Sequence, residues 1–376
     1  MRDKITLTNL KVLIVCPSYE LNTTTRKALD DCQYLRDIGG NPTLYCFKDS
    51  LVEKEAERLA LPRTFYRGLD RKKLNFLSYF LDIRKVLKDE WDVVHCYDLK
   101  FLWPLSFWLF YRLRLPLFFT FHEYSKNSLF GELQKILLKR VDNIFVFSEQ
   151  TKSYFLDQFS YPQRRMKNSG FGIEKFNIDE KPTSVFYIST VLSNPQQIDN
   201  LRALLLSIIS LKEQDEFKDI RLRVHSVKKI KDFYAYTEIK PLLESEALKD
   251  SIEISQECSR AKVLMDTNVF LSLSFDEPIS DFEIACLEAH IQCIVPRTAT
   301  RKEELKKYLG SEAQTYYFQD SRAIREGIEK SFRRSLDRKQ QISIDSGHDF
   351  ESYSEMIHST YIKSVSKRLR LDSLRK

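Results

Sequence analysis

The sequence predicts an α/β protein made of two doubly wound parallel-sheet halves. Three observations carry that prediction. Short β-branched or aromatic runs alternate with amphipathic helical stretches, the pattern of parallel sheets wound with helices. That rhythm occurs twice, on either side of a polar, proline-containing stretch, EKPTS (180–184). The 376 residues, 43% hydrophobic and 30% charged, supply core for two to three domains at roughly 150 residues each.

The first half offers strands KVLIVC (11–16), PTLYCF (42–47), DVVHCY (92–97), PLFFTF (116–121) and NIFVFS (143–148). Between the first two, TTTRKALDDCQYLRDIGG (23–40) opens with threonines suited to capping and stops at Gly39-Gly40, as a helix should. The second half offers SVFYIS (184–189), RLRVHSV (221–227), SIEIS (251–255), NVFLSLS (268–274) and QCIVP (292–296). Helices fall between them, as in NLRALLLSIISLKEQ (200–214) and DFEIACLEAHI (281–291). The expected division is a domain over 1–178, a second over 179–345, and a helical segment with a basic tail over 346–376.

Seven scattered cysteines without a CxxC pair read as small buried hydrophobes in a reducing compartment. No His/Cys/Asp set has metal-ligand spacing, so no metal or other cofactor is expected. MRDKITLTNL is polar, and KVLIV (11–15) is too short for a signal peptide core, so the expected location is the cytoplasm. The net charge of +7 is uneven. Cations gather in the last fourteen residues and in RKKLNFLSYFLDIRKVLK (71–88), where six basic residues interleave with Phe76, Phe80 and Leu81. FLWPLSFWLFYRLRLPLFF (101–119) is intensely apolar, yet Arg112, Arg114 and Pro116 cut it short of the ~20 apolar residues of a spanning helix. It reads either as a buried helix and strand or as part of an aromatic-basic surface lying on the inner face of a membrane. Nucleic acid is not an expected partner, since no binding motif accompanies the charge.

Residues 273–296, LSFDEPISDFEIACLEAHIQCIVP, gather Asp276, Glu277, Asp281, Glu283 and Glu288 past the end of a predicted strand. Ligands bind at that edge of an open α/β sheet. Glu288 is read on the first turns of a helix beginning near Asp281, where its carboxylate can bind polyols and the helix N-terminus can meet a phosphate. His122 and Glu123 lie just past the strand PLFFTF.

Three stretches resemble family 4 (group 1) glycosyltransferases of the GT-B fold. KVLIVCPSYELNTTTRKALDDCQYLRDIGGNPTLYCF (11–47) is similar to the family's opening, with Arg26 in the place of an arginine that opens the first helix. DVVHCYDLKFLWPLSFWLFYRLRLPLFFTFHEYSKNS is similar to a branch's D-V-V-H-x-H-D strand, with Asp98 closing it, followed by an H-E strand end. VDNIFVFSEQTKSYFLDQF and SGFGIEKF resemble the family's S-E strand and the entry to its second domain, and the acidic stretch resembles the donor motif E-G-F-G-x-x-x-x-E-A. The resemblance implies two Rossmann-like domains facing a cleft, a nucleotide-sugar donor on the second, and a glycan or lipid-linked acceptor on the first. It implies transfer with retention. It places His122 and Glu123 near the reacting sugar, Arg26 and Asp98 on the acceptor or phosphate side, and Glu288 on the ribose hydroxyls. Glu277 or Ser280 takes the place of the first donor-site acid, and Glu283 stands where a glycine is usual.

The donor side departs from that pattern. Where the family has an arginine and a lysine after the first strand of its second domain, STVLSNPQQIDN (189–200) has Thr190 and Gln196. Arg297 and Arg301 after QCIVP, and Lys228, Lys229 and Lys231 after RLRVHSV, are candidate replacements for charge on a leaving diphosphate. Only nine glycines occur, so any phosphate site must rely on side chains. Three readings follow: a retaining glycosyltransferase, an inactive GT-B subunit that binds or scaffolds in glycan assembly, and a sugar epimerase of the same architecture.

Overall fold

The structure, a computed structural model, describes residues 10–66, 76–110, 115–122, 136–159, 161–170, 172, 185–233, 236–275, 279–297, 314–336 and 350–373. The chain forms two compact units, Met1–Gly172 with Phe350–Lys376, and Ile173–Asp349.

In the first unit the elements run β1 (Lys11–Val15), α1 (Thr23–Asp37), β2 (Asn41–Phe47), α2 (Leu51–Arg58), β3 (Arg63–Tyr66) and α3 (Phe76–Val86). They continue with β4 (Val93–Cys96), α4 (Leu99–Phe110), β5 (Leu117–Phe121), β6 (Asn143–Val146), α5 (Glu149–Gln158) and β7 (Met166–Asn168). The strands make one parallel sheet in the order β3-β2-β1-β4-β5-β6-β7. Helices cover such a sheet on both faces, which is why β1 beyond Lys11, β4 and β5 are buried throughout, with His95 and Thr120 the polar exceptions among mostly apolar residues. The cap of α1 is Asn22 rather than a threonine: Thr25 N–H donates to Asn22 Oδ1 (3.0 Å), and Asn22 N–H donates to Thr25 Oγ1 (2.8 Å). Beyond α1 the chain turns at Gly39, whose φ of 85° suits a residue without Cβ.

The second unit repeats the plan with β8 (Phe186–Leu192), α6 (Ile198–Lys212), β9 (Ile220–Ser226), α7 (Tyr236–Leu243), α8 (Glu246–Lys249) and β10 (Ile252–Ser255). Then follow α9 (Arg260–Leu264), β11 (Val269–Leu271), α10 (Asp281–Glu288), β12 (Gln292–Pro296), β13 (Gln314–Tyr316) and α11 (Ser321–Leu336). Its parallel sheet is ordered β10-β9-β8-β11-β12-β13. Leu201, Leu204, Leu205 and Ile208 of α6 and Ile324 and Ile328 of α11 pack on Ile188, Leu222 and Ile294 of the sheet. Three strands were not expected from the sequence. All are short edge strands, RTFY, MKN and QTY, with no apolar run to mark them. The helix expected over 281–291 stops at Glu288, and His290 takes a left-handed turn at φ 54°.

The last helix, α12 (Phe350–Ser373), belongs to the first unit. Its buried stripe is Tyr353, Ile357, Tyr361 and Val365, spaced by four. Beneath it lies a closed polar network. Asp31 pairs with Lys27 (3.1 Å) and accepts from Tyr353 (2.7 Å) and from Tyr97. His95 joins Tyr361 through Nδ1 and Thr120 through Nε2 (2.8 Å). Arg368 reaches Asp142 (2.5 Å) and Lys167 reaches Thr360 (2.7 Å). Buried charge of this kind is tolerated because each group has a partner. All seven cysteines are free and buried, as the sequence suggested, and burial pushes the Cys32 and Cys46 thiols up to about 12, where they are inert.

Candidate functional site

A doubly wound sheet opens a crevice at the carboxyl ends of the strands where connections leave in opposite directions. In the second sheet that point lies between β8, which leads to β9 on one side, and β11, which leads to β12 on the other. A pocket of about 370 Å³ lies there, lined by residues 195–200 after β8, Leu273 and Phe275 after β11, Glu238 of α7, and Phe318 after β13. Its size is that of a small-molecule site.

Asn200 holds the pocket together. It is buried in the first turn of α6, its Nδ2 donates to Leu273 O (3.0 Å), and its Oδ1 accepts from Gln319 N–H (3.1 Å). One amide thus pins the loops after β8, β11 and β13. Gln197 does similar work locally, with Oε1 accepting from Ser193 N–H (2.7 Å). Phe275 and Phe318 meet edge-on with ring centroids 5.2 Å apart. Asp199, Glu238 and the exposed Gln196 complete a wall that accepts hydrogen bonds from hydroxyls and offers an aromatic flank. Among the described lining residues none is arginine or lysine. Sequence reasoning missed Asn200, Asp199, Phe275 and Phe318. The available signal was Asn200 itself, a polar residue in the first turn of a helix rich in leucine and isoleucine, NLRALLLSII.

Of the sequence-derived donor candidates, Gln196 lies in this wall. Thr190 is buried within β8, where its hydroxyl donates to Leu271 O (2.7 Å) across the sheet. Ser280 and Glu283 cap α10 reciprocally: Glu283 N–H donates to Ser280 Oγ and Ser280 N–H donates to Glu283 Oε2, each at 3.2 Å. Glu288 is the last residue of α10, not one of its first turns, because the helix has only eight residues. Arg297 is exposed after β12, its guanidinium 5.3 Å from the Tyr317 ring centroid. Lys228 caps the Phe233 ring at 4.2 Å. Glu123, Glu277 and Arg301 lie outside the described residues.

In the first unit the equivalent edge lies past β1 and β4. Tyr97 N–H donates to Val15 O (2.9 Å), tying the two strand ends together. Asp98 follows at once, and its carbonyl accepts from Phe101 and Leu102 at the start of α4. Arg26 sits in the first turn of α1, 7% exposed rather than on the surface, and His122 follows β5, 4% exposed, with its ring 4.7 Å from Phe147. The topology therefore brings Arg26, Asp98 and His122 to one sheet edge, and Gln196 to the corresponding edge of the other sheet. Among the described residues, no group of three or more His, Cys, Asp or Glu side chains is placed to hold a metal ion.

Two Rossmann-like units, the first wound in the order 3-2-1-4-5-6-7 and the second in the order 3-2-1-4-5-6, define a protein of the GT-B fold. The model of Glycosyltransferase Family 4 matches residues 28–167, within the first unit. No curated protein matches the chain. Solved structures with the same fold include a glycosyltransferase from Rickettsia africae, 15% identical with a TM-score of 0.63, 97% of each chain being covered. A protein of Anabaena solved with UDP-glucose is 11% identical, with a TM-score of 0.65 over 97% of this chain and 99% of its own. A UDP-GlcNAc 2-epimerase from Neisseria meningitidis, bound to UDP-GlcNAc, is 12% identical, with a TM-score of 0.67 over 94% and 100%.

Proposed function

We propose that this protein is a retaining glycosyltransferase that takes a sugar from a nucleotide-sugar donor, uridine diphosphate-linked by analogy with its structural relatives, and passes it to a glycan or lipid-linked acceptor. The family match over residues 28–167 carries the reading, since transferases and epimerases share the fold. The pocket between β8 and β11 is the donor site. Asp199 and Glu238 accept hydrogen bonds from sugar or ribose hydroxyls, and the Phe275–Phe318 pair flanks the base. Arg26, Asp98 and His122 serve the acceptor side. Glu288 and Glu277 on the donor side and Glu123 at the reacting sugar remain part of the proposal on the sequence resemblance alone. No metal is proposed.

Thermal denaturation with uridine, guanosine and adenosine diphosphates and their sugars tests this. A ligand at a hundred times its Kd stabilises the native state by about 2.7 kcal/mol. We expect a rise of several degrees with one nucleotide class, lost when the pocket is filled from its exposed wall by Gln196→Trp. No shift with any of them, or a shift indifferent to that substitution, defeats the proposal. The absence of arginine and lysine among the described lining residues favours a second reading, an inactive GT-B subunit. Nucleotide binding without release of diphosphate from any donor would select it.

A further inference from the structure

Helices α3 and α4 of the first unit pack side by side and sort their side chains by kind. Tyr79, Ile83, Leu102, Leu105 and Leu109 turn inward and are buried. The outer stripe of α4 is Trp103, Phe107 and Phe110, spaced by four and three residues and so on one helical face. Phe107 is 42% exposed and Phe110 59%. On α3, Leu81 is 45% exposed. Arg84, Lys85 and Lys88 follow it at three, four and seven residues, all exposed. Phe80 locks the two stripes together, its ring centroid 5.0 Å from Phe107 and 4.6 Å from Trp108. Trp108 Nε1 donates to Phe80 O (2.9 Å), and the Arg84 guanidinium lies 4.8 Å over the Trp108 ring. The result is a rigid aromatic platform edged with cations.

A patch of exposed aromatic side chains marks a surface that meets something. Its occupant must satisfy both halves of the patch. A second copy of this chain, which carries +7, would set the same cation ridge near itself across a self-complementary interface. An anionic bilayer accepts both: aromatic rings settle at the boundary of headgroups and acyl chains, and arginine and lysine meet the negative headgroups. Among the described residues no helix is long and apolar enough to cross a membrane, so the contact is with the surface.

We infer that the α3–α4 face docks this protein onto an anionic lipid surface, with Trp103, Phe107 and Phe110 at the acyl boundary and Arg84, Lys85 and Lys88 against the headgroups. The inference stands apart from the donor pocket and from any activity. Co-sedimentation with vesicles of phosphatidylcholine alone, or with about 30% phosphatidylglycerol, tests it at low and high salt. The full chain should bind the anionic vesicles, weakly or not at all the neutral ones, and lose binding in high salt. The double variant Phe107→Ser, Phe110→Ser should bind at least about tenfold more weakly, and the triple Arg84→Glu, Lys85→Glu, Lys88→Glu about a hundredfold. All five positions are exposed, and unchanged melting curves will verify folding. Failure of the wild type to bind, equal binding to neutral vesicles, or insensitivity to either variant overturns the inference. So does self-association in solution that these same substitutions abolish.

Discussion

His95 shows how one side chain can tie stability to pH. It is wholly buried in β4, and burial, aided by the nearby Lys27 cation, holds its imidazole well below the ordinary value of 6.5. The folded protein therefore keeps it neutral, while the unfolded chain takes up a proton as the pH drops past about 6.5. Its contribution is fully present above that pH and is lost on acidification, at up to about 1.4 kcal/mol per pH unit. His225, also lowered chiefly by burial, acts in the same direction in the second unit. Melting temperatures should fall between pH 7.5 and 5.5, windows set by the ordinary histidine value. His95→Gln should be less stable at neutral pH and show a shallower fall. At this scale the sequence was informative only where a residue follows an obvious strand. His122 could be placed at a sheet edge because PLFFTF announces β5. The tasks of Thr190, Ser280 and Glu283 could not, because a hydroxyl spent across a sheet and a carboxylate spent on a helix cap look the same in sequence as ones aimed at a ligand.

Among the elements, α12 has the most to lose from a single contact. Gly172 has φ +57°, and a Cβ there would lie 2.4 Å from Cγ of Tyr353, the residue that delivers α12 to Asp31. Gly172→Ala combines a disfavoured backbone with a clash against a buried ring, and should cost on the order of 2–4 kcal/mol by urea denaturation. An effect below about 0.5 kcal/mol would mean that α12 docks without this contact. Long helices were legible: α1, α6 and α12 were foreseen, since apolar residues recur at helical spacing, and the short α10 was foreseen with a later end. Their ends were not. Glu288 closes α10 instead of sitting near its start because a left-handed turn at His290, and no glycine or proline, ends the helix.

For the whole molecule, the doubly wound plan was legible because the same alternation recurs twice, and each sheet does turn about its first strand. What could not be read was that the first unit is discontinuous, since a stripe of Tyr353, Ile357, Tyr361 and Val365 does not declare which sheet it will cover. Burying four such side chains is worth about 1.5–3 kcal/mol each, comparable in sum to the whole stability of a domain. A chain ending at Asp349 should therefore lose the cooperative melting of the first unit and keep that of the second, as followed by calorimetry. Two intact transitions would refute the dependence. The arrangement also orders events on the ribosome. The strands of the amino-terminal sheet are all made by Asn168 and those of the second sheet by Tyr316, whereas the helix that covers the amino-terminal sheet begins only at Phe350. At the usual pace of synthesis that delay lasts on the order of ten seconds or more, during which the nascent amino-terminal half must wait with its apolar flank uncovered.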